Sequence, residues 1–277
     1  CALPLWPLRA GQPRRPAEST PLFRPLESSR PGGRRLFAAP LARAFLSRPL
    51  ALAARLGAVP GLRELVPRYI DRRWPGPRSA VVARTRLIDD LLAAELHGSS
   101  GPLREGPEQL AVLGAGFDTR AYRLPGLRRI AVFEVDHPDT QAAKRRQLER
   151  ALASPPGHVR FVACDFGQGA LETSMAAAGW KESARSLILW EGVTNYLTEA
   201  AVDATLRWCA RVPPGSLLIL TYVHRDILTR PERFFGSQQL FASLERLGER
   251  FTFGIDPAEL AGFLAARGFS LESDVGA

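Results

Sequence analysis

From Gln109 onward the hydrophobic positions follow two alternating rhythms. Short runs of apolar residues that tolerate little charge are separated by longer segments in which apolar residues return every three or four positions. The first rhythm predicts buried strands and the second amphipathic helices. Strands are predicted at 110–113, 129–136, 159–165, 187–191 and 216–222, with a sixth at Phe269–Val275. Helices are predicted between them at 139–152, 171–178 and 199–211, and at 257–267 before Gly268. In the third of these Val202, Leu206 and Cys209 share the inner face. Regular alternation of this kind predicts an α/β fold, a parallel sheet covered by helices on both faces.

Upstream the pattern changes. Residues 79–96 read as an amphipathic helix with Val81, Ile88, Leu92 and Leu96 on one stripe and Ser79 as its cap. Arg84 interrupts that stripe, and there an arginine either snorkels from the edge or grips an anion. Proline-separated helical segments at 39–56 and 61–69 precede it. Residues 1–31 are rich in Pro, Arg and Ser and are expected to be poorly ordered, as a targeting segment or as translated upstream sequence. The expected organisation is one domain over 32–277, with a helical cap and lead-in helix at 32–108 and an α/β core at 109–277.

Charge sharpens this division. The net charge is +9, yet 17 arginines and only 4 acidic residues fall before Leu87, against 20 basic and 24 acidic residues after it. Only Lys144 and Lys181 are lysines, and no aromatic-interleaved basic stripe accompanies the arginines, so no nucleic-acid partner is expected. No apolar run approaches a membrane span. Three cysteines and four scattered histidines suggest neither a disulfide framework nor a metal site, and a reducing, cytoplasmic location is expected.

The chemistry gathers where strands end. Gly114 and Gly116 puncture the chain directly after Leu113, and glycine there allows positive φ and close approach of a ligand. In open α/β sheets this turn, at the carboxyl end of the first strand, is where cofactors bind. Asp136 ends the second strand, in position to accept hydrogen bonds from ribose hydroxyls, with Glu134 on the same strand face as a competitor. Asp165, followed by Phe166, ends the third strand and Glu191 the fourth. A nucleoside-shaped pocket is the expectation. A dinucleotide would use a third glycine, but Thr119 stands at that position, and Asp118 would repel a pyrophosphate. S-adenosyl-L-methionine carries a sulfonium and no phosphate, and suits an acidic rim. An NAD(P)-dependent oxidoreductase is the distant alternative, and a binding-only or inactive homologue the other.

Val112-Leu-Gly-Ala-Gly-Phe-Asp-Thr-Arg-Ala-Tyr-Arg-Leu124 resembles the first motif of the leucine carboxyl methyltransferase family. The likeness extends through Leu26-Glu-Ser-Ser-Arg-Pro31, Leu36-Phe-Ala-Ala-Pro-Leu-Ala42 and Ala83-Arg-Thr-Arg-Leu-Ile-Asp89. Downstream it takes in Phe133-Glu-Val-Asp-His-Pro138, Asp165-Phe166, Leu189-Trp-Glu-Gly-Val-Thr-Asn-Tyr-Leu197 and Thr252-Phe-Gly-Ile-Asp-Pro257. The resemblance implies a Rossmann-like class I methyltransferase sheet using S-adenosyl-L-methionine to methylate an oxygen, with a small-molecule or peptide carboxylate as acceptor. It implies that Arg84 binds the cofactor carboxylate, Gly114 and Gly116 approach the cofactor, and Asp136 holds the ribose. Asp165 and Phe166 would take the adenine end and Glu191 the region near the aminoacyl group. It assigns no catalytic base. Tyr196 or Asn195 would orient an acceptor, or Tyr196 is a packed aromatic. The family's closing antiparallel strand is expected to be missing after Ala277, which would leave a sheet edge open.

Overall fold

The computed structural model describes residues 23–56, 59, 65–73, 75–97, 106–154, 156–168, 170–246 and 248–276. Most of the segment expected to be poorly ordered, residues 1–22, lies outside them, as do 61–64 of the second cap helix. Residues 23–31 depart from that expectation. Residues 23–28 form a helix, α1, whose Phe23 and Leu26 are buried against Ile70 and Val81. Its apolar spacing was hidden by the surrounding prolines and arginines.

The cap continues with a single 3-10 turn at Pro40–Arg43, then α2 (Arg48–Leu56) and α3 (Leu65–Arg73). The lead-in helix, α4, runs Pro77–His97. It starts two residues before the expected cap, because proline fits the first turn, where its missing N–H costs nothing. Ser79 is therefore inside the helix, and its hydroxyl donates to the Gly76 carbonyl at 2.8 Å instead of capping. Val81, Ile88 and Leu92 are buried on its inner stripe, as the periodicity predicts.

Five parallel strands follow: β1 (Gln109–Leu113), β2 (Ala131–Asp136), β3 (Val159–Ala163), β4 (Ser186–Trp190) and β5 (Leu217–Leu220), in the order β3-β2-β1-β4-β5. Between them lie α5 (Arg120–Arg123), α6 (Pro138–Ala151), α7 (Leu171–Ala177) and α8 (Glu199–Cys209), with α9 (Ser237–Arg246) and α10 (Pro257–Ala265) after β5. The two-residue side-chain period divides the core into two layers. Ala111, Leu113, Phe133, Val135, Ile188 and Trp190 face α7, α8 and α10. Leu110, Val112, Val132, Leu187 and Leu189 face α4, α5 and α6. Strand order reverses between β1 and β4, and the crevice above their carboxyl ends is where open α/β sheets bind ligands.

The sixth strand is not present. Residues 269–276 run without strand pairing, and β5 pairs only with β4. Phe269 packs on the core, while the Tyr222 hydroxyl donates to Asp274 at 2.7 Å. The last stretch is thus anchored by side chains rather than by a backbone ladder. An alternating apolar pattern can predict a strand, but a strand exists only through a partner.

The inner stripe of α4 yields a first test. Leu92 is fully buried and Leu91 is half-exposed. Leu92→Ala should lower unfolding free energy by about 2–5 kcal/mol, the usual range for emptying a packed leucine site. Leu91→Ala should stay within about 0.5 kcal/mol. Urea melts of the two variants check the difference.

Candidate active site

The turn after β1 places the site. Gly114 and Gly116 have φ of +68° and +41°, so the chain doubles back and brings the Gly116 N–H over the end of β2. That N–H donates to Asp136 Oδ2, and the His137 N–H donates to Asp136 Oδ1 at 2.7 Å. Burial raises the Asp136 pKa, and these two backbone donors oppose the rise. The carboxylate is thereby fixed in orientation at the rim of the crevice. A side chain at Gly114 would collide with Val193, which packs directly against the turn.

Glu134, the competitor on the same strand, goes elsewhere. It is buried one pleat below, 2.8 Å from Lys144 Nζ, and it accepts from the Tyr122 hydroxyl at 3.1 Å. Its partners are internal, which removes it from the ribose role. Asp165 follows β3, and its Oδ1 accepts from the Gly167 N–H at 2.9 Å. Phe166 is half-buried beside it, packed on the core layer that faces α7. Burial pushes the neighbouring Cys164 thiol up to about 11, so no thiolate is available there at neutral pH.

Glu191, directly after β4, is the centre of an ionic network. It accepts from Arg84 Nε at 2.8 Å and from Arg120 Nη1 at 2.7 Å, and Arg24 Nη2 lies 3.5 Å away. These cations hold its carboxyl far below the ordinary carboxylate range, against the opposing effect of its burial. Arg120, only 1% exposed, also donates from Nε to Asp89 at 2.8 Å and from Nη1 to Asp118. Arg123 closes the network on Asp89 at 2.6 Å. Arg84 therefore grips a carboxylate, as one of its two readings requires, and that carboxylate is the protein's own. Asp118 is turned inward and paired, so it is no repulsive rim for a pyrophosphate. Of the two sequence observations against a dinucleotide, the one at Thr119 stands: it is buried at the start of α5.

The structure thus joins Gly116 with Asp136, and Arg84 with Glu191, at the carboxyl ends of β1, β2 and β4. Asp165 and Phe166 sit on the adjacent turn after β3. Sequence reasoning did not single out Arg24, Asp89, Arg120 or Arg123. One signal was readable for Asp89, a second charge after Arg84 on the inner side of α4, between Ile88 and Leu92. A separate hollow of about 310 Å³, lined by Tyr122, Arg128, Leu152 and His158 among others, lies toward the strands' amino ends. Among the described residues there is no group of three or more possible metal ligands, and no helix is long and apolar enough to cross a membrane.

Comparison with known proteins points one way. The profile of the leucine carboxyl methyltransferase family matches residues 17–210. A candidate S-adenosyl-L-methionine-dependent methyltransferase of Bacillus subtilis, YktD, is 36% identical over 126 residues, which cover 45% of this chain and 41% of that protein. A candidate methyltransferase of the same description from Mycobacterium sp. (strain JLS) is 33% identical over 210 residues, 70% of this chain and 62% of the relative. The chain thus spans 41–62% of the length of these two curated relatives. Among solved structures, a candidate methyltransferase from Thermobifida fusca aligns with a TM-score of 0.54 at 16% identity. That alignment covers 91% of this chain and 79% of the other, and it shows a shared fold.

The network predicts how stability responds to acid. The folded-state pKa values of Glu191 and Asp118 are both depressed. The stability they contribute is complete above their unfolded values of 4.5 and 3.8 and is lost as pH falls through the lowered folded values. Melting temperature should therefore begin to fall as pH drops below about 4.5. Glu191→Gln, which leaves buried guanidinium groups underpaired, should cost about 3–5 kcal/mol at neutral pH. Thermal melts of both proteins between acid and neutral pH measure both effects.

Proposed function

The chain belongs to the leucine carboxyl methyltransferase family, and from that premise we propose that it is an S-adenosyl-L-methionine-dependent methyltransferase acting on an oxygen, with a carboxylate as acceptor. The observation that carries this reading is the Asp136 carboxylate, held by two backbone N–H groups beside a two-glycine turn. Those bonds leave further lone pairs on both oxygens, and an acceptor-only group suits the two hydroxyls of a ribose. The donor set fits the rest of the cofactor as well. Arg24 Nε and Arg120 Nη2 are buried donors without a hydrogen-bond partner among the described residues, next to the carboxyl end of β4. A methionine carboxylate matches such donors, and no phosphate is needed.

The residues divide the work. Arg84 and Glu191 take the amino-acid end, where a carboxylate and an ammonium must be bound together. Gly114 and Gly116 let the backbone approach. Asp136 takes the ribose, and Asp165 and Phe166 take the adenine end. When bound, S-adenosyl-L-methionine supplies a sulfonium methyl group that an already anionic acceptor oxygen can take without any proton moving. A carboxylate meets that condition at neutral pH. An alcohol would need a base, and Tyr196 and His224 are poor ones. Burial pushes the Tyr196 hydroxyl up to about 12, so it stays protonated. His224 Nδ1 accepts from the Asp226 N–H at 3.0 Å, which puts the neutral ring's proton on Nε2 and leaves it a donor. Tyr196 packs edge-on against Phe251, 5.3 Å between centroids, and Asn195 is buried; the pair can orient an acceptor after β4. With no base to supply, acceleration rests on alignment, which is worth roughly 7–11 kcal/mol in well-oriented reactions.

Two measurements test the reading. Incubation with methyl-labelled cofactor and a panel of small carboxylic acids and carboxyl-terminal peptides should yield label that mild alkali releases as methanol, as a methyl ester requires. Label that survives alkali would exclude a carboxylate acceptor. Calorimetry should show binding of S-adenosyl-L-homocysteine and none of NAD. Micromolar NAD binding with no response to the homocysteine compound would overturn the methyltransferase reading itself. Arg84→Ala should weaken cofactor binding by about 1.5–3 kcal/mol, the scale of a hydrogen bond to a charged group.

A further inference from the structure

Three aromatic rings stand beyond the carboxyl end of β4, outside the set of residues assigned to the cofactor. Tyr196 closes the 3-10 turn Thr194–Tyr196, and its ring meets Phe251 edge-on, 5.3 Å between centroids at 82°. Phe251 in turn meets Phe241 of α9 at 5.8 Å and 69°. Two hydrogen bonds fix the first contact. The Thr252 N–H donates to the Asn195 carbonyl at 2.8 Å, and the Thr252 hydroxyl donates to the Leu197 carbonyl at 2.8 Å. The backbone beside Phe251 is thus strapped to both sides of Tyr196. All three residues keep part of their surface in solvent, unlike core rings such as Phe133 and Trp190.

A circuit of contacts joins these rings to the cofactor crevice. Arg84 of α4 bonds Glu191 after β4 at 2.8 Å. Val193 then packs against the Gly114 turn, and Tyr196 follows. The charge of Arg84 is felt at the Tyr196 hydroxyl, which places that ring beside the amino-acid end of the crevice. From Phe251 the circuit passes to Phe241, and α9 returns it to α4. Gly236, just before α9, has φ of +76° and lies so near the chain ahead of α4 that a Cβ there would stand 2.6 Å from the Pro75 carbonyl oxygen. An opening is thereby bounded by the partly exposed Arg84 on one side and by the rings on the other. An apolar, aromatic wall with a few polar groups at one end is the make-up of a small-molecule site.

We infer that this circuit is the rim of the acceptor site, and that its wall selects a small acid whose carboxylate is carried on a flat aromatic ring system, with Phe241 and Phe251 as specificity-determining residues. This rests on the methyltransferase reading and narrows its acceptor from carboxylates in general to aryl carboxylates. Ring–ring contact rewards a flat acceptor over a saturated one of similar size and equal charge. The transfer itself is unchanged: the acceptor oxygen bonds the methyl carbon, the carbon–sulfur electron pair stays on sulfur, and no proton moves.

The test compares naphthoate with its fully hydrogenated counterpart, which has the same charge and carbon framework but no aromatic face. Calorimetry titrates each acid into the full chain saturated with S-adenosyl-L-homocysteine. Wild type should bind naphthoate about threefold to tenfold more tightly, the scale of one added aromatic pair. Phe251→Leu and Phe241→Leu keep apolar bulk, and each should remove most of that preference while changing affinity for S-adenosyl-L-homocysteine by less than about twofold. Leu91→Ala, on the half-exposed side of α4, should keep the wild-type preference. With methyl-labelled cofactor the same preference should appear in kcat/KM. If Phe251→Leu does not fold, Phe241→Leu decides alone. Equal binding of the two acids by wild type, binding of neither, tighter binding of carboxyl-terminal peptides than of naphthoate, or an unchanged preference in Phe241→Leu overturns the inference. Each of these results leaves the methyltransferase reading standing, because S-adenosyl-L-homocysteine still binds. Wild type that does not bind S-adenosyl-L-homocysteine overturns both.

Discussion

The buried guanidinium of Arg120 is the constraint on which the site depends. It ties together the helix before the sheet through Asp89, the glycine turn through Asp118, and the end of β4 through Glu191. Removing such a charge from water costs several kcal/mol, and directed carboxylate partners offset that cost. Arg120 has three carboxylates, and the planar fork of arginine can meet several at once, as a lysine ammonium could not with the same geometry. The crevice between β1 and β4 is therefore held at a defined width by charge, and the apolar layers on either side set only its floor.

A second buried ion pair does related work one pleat deeper. Lys144 is one of only two lysines in a chain that otherwise uses arginine, and it is sealed against Glu134 with the Tyr122 hydroxyl on the same carboxylate. These residues come from α6, β2 and α5, so the pair links the elements that flank Asp136. The carboxylate at the rim is rigid because its own backbone donors fix it and because the strand beneath it is pinned from the side.

Much of this was legible in the sequence, for physical reasons that also explain what was not. The five strands and the inner stripe of α4 follow from side-chain period alone, since a two-sided buried sheet demands near-continuous apolar runs. The two glycines and Asp136 were readable because a turn with positive φ and an acid at a strand end are local features. Residues 23–28 escaped because their partners, Ile70 and Val81, are more than 40 positions away and the local composition is that of a loop. The segment 269–275 failed in the opposite way: its local pattern suits a strand, and no strand among the described residues pairs with it. Arg120 and Asp118 were visible as letters in the motif, yet their burial depends on Glu191, some 70 residues on.

The charge asymmetry of the chain takes on a structural meaning in this light. The first 86 residues carry the whole excess of arginine, and the remainder is slightly acidic. Part of that excess is spent locally, in Arg30 with Glu27, Arg78 with Asp71 and Arg86 with Asp90. Two arginines of the first third behave differently. Arg24 and Arg84 reach across to Glu191, which belongs to the acidic remainder and lies more than 100 positions away. The opposite charges of the two parts therefore meet at the carboxyl end of β4, at the place where the cap must sit on the sheet. A cap docked by apolar contact alone could slide, because such contacts are not directional. Arginine–carboxylate bonds are directional, so they fix where α1 and α4 rest over the crevice. The basic first third is in this sense the complement of the core it covers.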